Sequence, residues 1–107
     1  MVDHELDELK REFLAEAEEK VREMQTALTG RANGDALQRV GYLAHQLKGS
    51  GGSYGYQRIS ADAAEIEKAV EAVGGDGLDS KRQQQIQQHV DNLRSEIESR
   101  VRELGAE

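Results

Sequence analysis

The sequence contains no cysteine, no proline and no tryptophan, and only one of its 107 residues is phenylalanine. Without cysteine the chain has no disulfide and no thiolate ligand for a metal. Without proline it lacks the strongest interruption of helices, and the shortage of aromatic residues favours small amphipathic helices over a large aromatic core. No apolar run approaches the ~20 residues that cross a membrane, and the acidic opening MVDHELDELK does not resemble a secretory signal. We therefore expect a cytoplasmic protein that does not enter a membrane.

Acidic residues outnumber basic residues. The sequence contains 14 lysine and arginine residues and 21 aspartate and glutamate residues, which gives a net charge of −7. Such a surface repels a phosphate backbone, so nucleic acid is not an expected partner. The length fits one domain, 1–107, with a single modest core.

Hydrophobic periodicity is the clearest positive signal. Apolar residues recur at steps of three and four, with no strand-like alternation and no internal repeat, which predicts four helices over 3–28, 35–53, 57–73 and 79–104. The glycine-rich segments TGRANGD and GGDG separate helices, and Asn33 or Asp35 and Asp79 or Ser80 are candidate caps. The expected fold is all-α, an antiparallel up-and-down four-helix bundle.

The inward stripes of these helices predict the core. Its expected members are Leu6, Leu9, Phe13, Ala17, Val21, Met24, Leu28, Leu37, Val40, Leu43, Ala44, Leu47, Ile59, Ala63, Ile66, Val70, Val73, Ile86, Val90, Leu93, Ile97, Val101 and Leu104.

One stretch, AHQLKGSGGSYG at 44–55, breaks the pattern by placing many glycines around a histidine and a lysine. On a helix, His45 lies opposite the apolar side. The only large residue expected beside it is Lys48, and the others are three glycines, Gly41, Gly49 and Gly52. Three such glycines cost a helix about 2 kcal/mol. A frayed helix end would explain the later glycines but not Gly41, so we interpret this side as a surface cleared for a partner.

Lys48 gives His45 a possible chemistry. An exposed histidine alone is usually just a polar surface residue. A cation one turn away disfavours imidazolium, which keeps the ring neutral and nucleophilic. The same ammonium group is able to hold the oxygens of a phosphoryl group that arrives at the ring. The pair is therefore suited to accepting phosphate.

His45, Leu47, Lys48, Gly49 and Gly55 match the pattern H-x-L-K-G-x5-G. Together with EFLAEAEE in the first helix and GYQRISADAAEIEKA after the histidine, this motif makes essentially the whole chain resemble the histidine-containing phosphotransfer (HPt) domains of bacterial two-component phosphorelays. The resemblance implies a four-helix bundle whose exposed histidine takes a phosphoryl group from a receiver-domain aspartate or a histidine kinase. It then passes the group to a response-regulator aspartate.

The resemblance also implies a role for each motif residue. His45 is the phosphoacceptor, through Nε2, and Lys48 stabilises the phosphoryl group. Gly49 lets the receiver dock, and Gly55 belongs to tight packing before the third helix. The expected partner-binding residues are Gly41, Gly49, Gly52 and Gly55. Receiver domains of response regulators or hybrid kinases are the expected partners. The domain itself is expected to be a monomeric carrier with no kinase activity and no cofactor, because the receiver supplies the Mg²⁺ and the phosphorylation pocket.

Glu67 stands 22 residues after His45, where the family often has a side chain that hydrogen-bonds the ring. Many phosphorelay members have glutamine there, whereas chemotaxis kinases have glutamate. A carboxylate would accept a hydrogen bond from Nδ1–H and leave Nε2 as the nucleophile. It would also raise the pKa of the ring, which opposes the effect of Lys48. Glu67 is alternatively a solvated charge that pairs on its own helix. The chain thus also fits the phosphoacceptor domain of a chemotaxis-type histidine kinase.

Other classes of protein fit less well. A metal or haem bundle is disfavoured because no Glu-x-x-His pair includes any of the three histidines, so no metal site is expected. A purely structural or oligomerising bundle is allowed by the heptad-like last helix but has no need of a cleared surface around His45. GSGGSYG lacks the GK[ST] ending and the preceding strand of a P-loop. No role is assigned to His4 or His89.

Overall fold

The computed structural model describes residues 3–29, 34–73 and 79–105. It contains four α-helices, as the helical periodicity and the glycine-rich breaks of the sequence predict. The helices are α1 (Asp3–Ala27), α2 (Gly34–Ser53), α3 (Gln57–Val73) and α4 (Ser80–Gly105). Each helix begins and ends within one residue of the position expected from the sequence. The described residues contain no strand, so the all-α class is confirmed. In that same part of the chain, no helix combines the length and the apolar character needed to cross a membrane.

The helices are arranged as a ring, in which α1 contacts α2, α2 contacts α3, α3 contacts α4, and α4 contacts α1. Hydrogen bonds join the end of one helix to the start of another. Gln83 Nε2, near the start of α4, donates to the carbonyl of Leu28, just after α1, at 2.9 Å. Arg82 donates to the carbonyl of Ala72, at the end of α3, at 3.1 Å.

One of the expected helix caps forms. Asp79 Oδ1 accepts a hydrogen bond from the backbone N–H of Arg82 at 2.8 Å, which makes Asp79 the N-cap of α4. Asp35 lies inside the first turn of α2 instead of preceding it. The other candidate, Asn33, and the GGDG segment at 74–77 lie outside the described residues.

The inner faces of the helices form one hydrophobic core, and the apolar stripe expected for α2 is buried throughout. The expectation for α1 was wrong at its start, where Leu6 and Leu9 are each 46% exposed. Phe13 stacks on the ring of Tyr54 in the α2–α3 turn, with centroids 5.1 Å apart, so α2 and α3 meet α1 at the level of Phe13. Leu6 and Leu9 lie one to two turns before Phe13, beyond the point where the ring of Tyr54 stacks on it. Leu14, which the stripe omitted, is buried. Val70, Val101 and Leu104 are only partly buried.

The turn between α2 and α3 explains one motif glycine. Tyr56 N–H donates to the carbonyl of Gly51 at 2.8 Å, and Gly55 N–H donates to the carbonyl of Gly52 at 3.1 Å. This is the Schellman pattern, which ends a helix with a residue in the left-handed conformation. Gly55 is that residue, with φ of 82°. A methyl group added there would meet no atom within 4 Å, so the expectation that Gly55 serves tight packing was wrong. Its backbone conformation is what favours glycine.

Candidate functional site

His45 lies midway along α2 on the side away from the core, and 64% of its side chain is exposed. Its neighbours in the chain, Ala44 and Leu47, are buried and hold this part of α2 against the bundle. α2 remains helical through Gly51 and Gly52 to Ser53, so the glycines after the histidine belong to the helix. The ring is therefore presented on a rigid element and faces solvent.

Glu67 on α3 joins His45 to Lys48. One carboxylate oxygen, Oε2, lies 2.8 Å from Nδ1 of His45, and the other, Oε1, accepts a hydrogen bond from Lys48 Nζ at 2.7 Å. Because an ionised carboxylate only accepts hydrogen bonds, Nδ1 carries the proton. In the described part of the chain no group hydrogen-bonds Nε2, which therefore keeps its lone pair directed outward. The expected contact between Glu67 and the ring is present, and Glu67 pairs across to α2 instead of along its own helix.

The two partners of Glu67 change its acidity. The hydrogen bond from Lys48, and then the one from His45, hold the pKa of the Glu67 carboxyl below its ordinary value of 4.5. Only 20% of the Glu67 side chain is exposed, and its bond with Lys48 is partly buried, whereas its bond with His45 is exposed. Glu67 is therefore a carboxylate at neutral pH and places a negative charge beside the protonated Nδ1.

Two glycines leave open space beside the histidine. Gly49 lies one turn after His45, and a methyl group added there would meet no atom within 4 Å. A methyl group at Gly52 would meet only the hydroxyl of Ser60, at 3.8 Å. Both residues are exposed, so this surface is accessible to a partner.

Gly41 has a different environment from the one expected. A methyl group added there would lie 3.3 Å from Val70 Cγ1, so Gly41 allows α3 to pack closely and is not simply part of an open surface. Sequence reasoning also missed Gly51, which is buried and would place a methyl group 3.2 Å from the backbone nitrogen of Ser60. Gly51 comes four residues after Leu47 on the apolar stripe, and this spacing is the signal that could have found it.

Ser60, on the first turn of α3, is a second residue that the sequence did not mark. Its hydroxyl donates to the backbone carbonyl of Lys48 at 2.8 Å. This bond ties α3 to α2 at the residue whose side chain reaches Glu67. Nothing in the spacing of Ser60 signals the contact, because it depends on how closely the two helices approach.

A comparison with protein-family models matches residues 8–96 to the Hpt domain. The chain belongs to the Hpt family. The match covers most of the sequence and includes His45, Lys48 and Glu67. It confirms the resemblance to HPt domains that the motif around His45 indicated. Searches of curated proteins and of solved structures return no match.

Membership of the Hpt family gives the general function. Hpt domains perform histidine phosphotransfer in phosphorelay signalling, and they interact with receiver domains. The roles of individual residues remain predictions, to which the geometry above adds support. Within the described ranges, no three histidine, aspartate or glutamate side chains are grouped so that they could hold a metal ion.

Proposed function

We propose that this Hpt domain is a phosphorelay carrier that receives a phosphoryl group on Nε2 of His45 from a receiver-domain aspartate or a histidine kinase. It passes the group on to the aspartate of a response regulator. The observation that carries the proposal is the exposed ring whose Nδ1 is held by Glu67 at 2.8 Å, while Nε2 faces solvent.

The transfer needs no prior deprotonation of the ring. The Nε2 lone pair attacks phosphorus, the bond between phosphorus and the aspartyl oxygen breaks, and the aspartate leaves as a carboxylate. The proton stays on Nδ1. Positive charge develops on the ring as the bond forms, and the Glu67 carboxylate beside Nδ1 stabilises that charge. Transfer to the next aspartate is the same step in reverse.

Lys48 acts on the phosphoryl group itself. Its ammonium has three N–H donors, and one of them binds Glu67. The remaining donors are free to bind phosphoryl oxygens, since 40% of the Lys48 side chain is exposed. Glu67 thus positions the cation and the nucleophile together, while the Mg²⁺ that neutralises the transferring group belongs to the receiver.

The remaining expectations belong to the same proposal. We infer an antiparallel up-and-down order from the short turn between α2 and α3 and from the hydrogen bonds that join the start of α4 to the ends of α1 and α3. We further propose a monomeric cytoplasmic carrier without a cofactor or kinase activity of its own, in which residues 1–107 belong to one Hpt domain. The second candidate is the phosphoacceptor domain of a chemotaxis-type kinase, and a carboxylate at Glu67 favours it.

The test uses wild type, His45→Ala and His89→Ala, the last as a control that removes a histidine from α4. Each protein is incubated with a phosphorylated receiver and Mg²⁺, and acid-labile, base-stable phosphate is measured. Wild type and His89→Ala should label equally and His45→Ala should not label. Equal labelling of wild type and His45→Ala would end the phosphotransfer proposal. If a chemotaxis-type kinase labels the protein and no phosphorylated receiver does, the second candidate is favoured.

A further inference from the structure

Tyr42 is the most exposed large apolar side chain beside the site. It lies three residues before His45 on α2, and 53% of it is exposed. Tyr42 is thus on the same side of the helix as His45, and the expectation that Lys48 is the one large residue there was wrong. Among the described residues, the other large exposed apolar side chains are Leu6 and Leu9, near the start of α1. A single exposed tyrosine is ordinary on a protein surface, so its position and its contacts decide whether it has a role.

The Tyr42 ring is held in place although it faces solvent. Gln46 Nε2 donates a hydrogen bond to the Tyr42 hydroxyl at 2.9 Å. The Arg39 guanidinium lies over the ring, 5.6 Å from its centroid. Arg39 is itself bound by both carboxylate oxygens of Glu23 on α1. An exposed aromatic group that is fixed before binding loses little conformational entropy when a partner covers it.

The two flanks of His45 differ. On the α3 flank, Lys48 and Glu67 bind each other, and Gly41 packs against Val70. On the α1 flank, Tyr42 and Gln46 line an open groove between α1 and α2, and the α1 wall of this groove consists mainly of charged residues: Glu16, Glu19, Lys20, Arg22 and Glu23. Gly49 and Gly52, which carry no side chain, lie along the ridge between the flanks. The free contact area next to the phosphoacceptor therefore lies toward α1.

We propose that Tyr42 is the docking anchor for the receiver, and that the receiver covers His45, Gly49 and the α1–α2 groove while leaving the α3 flank largely open. The proposal rests on the proposed function, because it assigns the partner of that same site. The partner is a receiver domain that presents an apolar patch to Tyr42 and charged groups to the charged wall of the groove. Tyrosines that fill such a patch are among the residues that contribute most to binding at protein interfaces.

The test separates docking from chemistry by using two phosphoryl donors. Inorganic phosphoramidate transfers its phosphoryl group directly to imidazole, with loss of ammonia, and needs no docking surface. The second donor is the phosphorylated receiver that reacts fastest with wild type in a panel of receivers. Tyr42→Ala should react with phosphoramidate at the wild-type rate. With the receiver, its kcat/KM should fall about tenfold or more, mainly through a higher KM.

Three further variants are the controls. Tyr42→Phe keeps the ring and should stay within about threefold of wild type. Leu9→Ala removes an exposed apolar side chain near the start of α1, one turn before the residue that packs on the α2–α3 turn, and should have no effect. Glu71→Ala changes an exposed residue on α3, one turn after Glu67, and should also have no effect.

Each other outcome contradicts the proposal in a recognisable way. If Tyr42→Ala has the same kcat/KM with the receiver as wild type, Tyr42 has no role in docking, and the proposed function is unaffected. An equal loss with both donors shows that Tyr42 supports the site or the fold and is not an anchor. A loss in Glu71→Ala as large as that in Tyr42→Ala places the receiver across both flanks. If wild type accepts phosphate from neither donor, the proposed function fails and the docking proposal fails with it.

Discussion

Glu67 lies 2.8 Å from Nδ1 of His45, although 22 residues separate the two in the chain. The contact exists because α2 and α3 pack side by side at a distance that glycines in α2 permit. The same carboxylate binds Lys48, so one side chain from α3 orients both functional residues of α2. The predictions below follow from this arrangement and from the glycines around it.

Replacing Glu67 should change the tautomer of His45. In Glu67→Ala the ring loses the acceptor that holds the proton on Nδ1, so ¹⁵N NMR of the imidazole should show a mixture of tautomers in place of mostly Nδ1–H. A hydrogen bond to a charged group contributes ~1.5–3 kcal/mol, so phosphorylation by phosphoramidate should slow about tenfold or more. Glu67→Gln retains an acceptor and should keep the wild-type tautomer. An unchanged tautomer in Glu67→Ala would show that Glu67 does not orient the ring.

Replacing Lys48 should raise the pKa of Glu67, because the hydrogen bond from Lys48 is the main cause that lowers it. A ¹³C NMR titration of the Glu67 carboxyl in Lys48→Met should show a pKa closer to 4.5 than in wild type. Since the folded pKa lies below the unfolded one, the stabilisation by this carboxylate is complete above about pH 4.5 and is lost as the pH falls through the lowered value. Wild type should therefore lose more stability than Lys48→Met on acidification, measured by urea unfolding.

The control for Lys48→Met is Lys68→Met, which removes an exposed lysine next to Glu67 in the chain. It should leave the pKa of Glu67 nearly unchanged, because surface charges are screened. Lys48→Met should also accept phosphate more slowly or lose it sooner. Wild-type rates for both steps would remove Lys48 from the mechanism.

Alanine at Gly49 and alanine at Gly51 should have opposite effects on stability. Gly49 has open space around it, so Gly49→Ala should stabilise the helix by ~0.5–1 kcal/mol while slowing transfer from a receiver that approaches this surface. Gly51→Ala places a methyl group 3.2 Å from the Ser60 backbone and should cost about 1–3 kcal/mol. Urea unfolding and the receiver assay measure the two effects. If Gly49→Ala is destabilising, or transfers at the wild-type rate, the cleared-surface interpretation is wrong.

Gly55→Ala should destabilise the fold by ~1–2 kcal/mol, because φ of 82° is unfavourable for a residue with a Cβ. Gly55→Asn should cost less, since asparagine adopts this conformation more readily. Thermal unfolding of the two variants checks the order. If Gly55→Ala and Gly55→Asn are equally stable, the left-handed conformation is not the reason for glycine here.

The sequence by itself determined the four helices and the exposed position of His45. Both follow from the spacing of apolar residues, because a helix places residues three and four apart on one face. The stripe through Leu43 and Leu47 fixes which side of α2 is buried, and His45 then lies on the other side. The motif around His45 and Lys48 similarly identified the family without reference to any contact.

Only the tertiary structure decided how these residues meet. Periodicity assigns a face to each helix but gives neither the distance between two helices nor the point at which a neighbouring helix ends. Leu6 and Leu9 share the spacing of the core and are exposed, because they lie one to two turns before Phe13, where α1 packs against the turn between α2 and α3. Gly41 and Gly49 stand on the same side of α2, yet only Gly41 contacts α3. The two bonds of Glu67 to α2 likewise depend on the separation of α2 and α3, which is set by packing across the whole bundle.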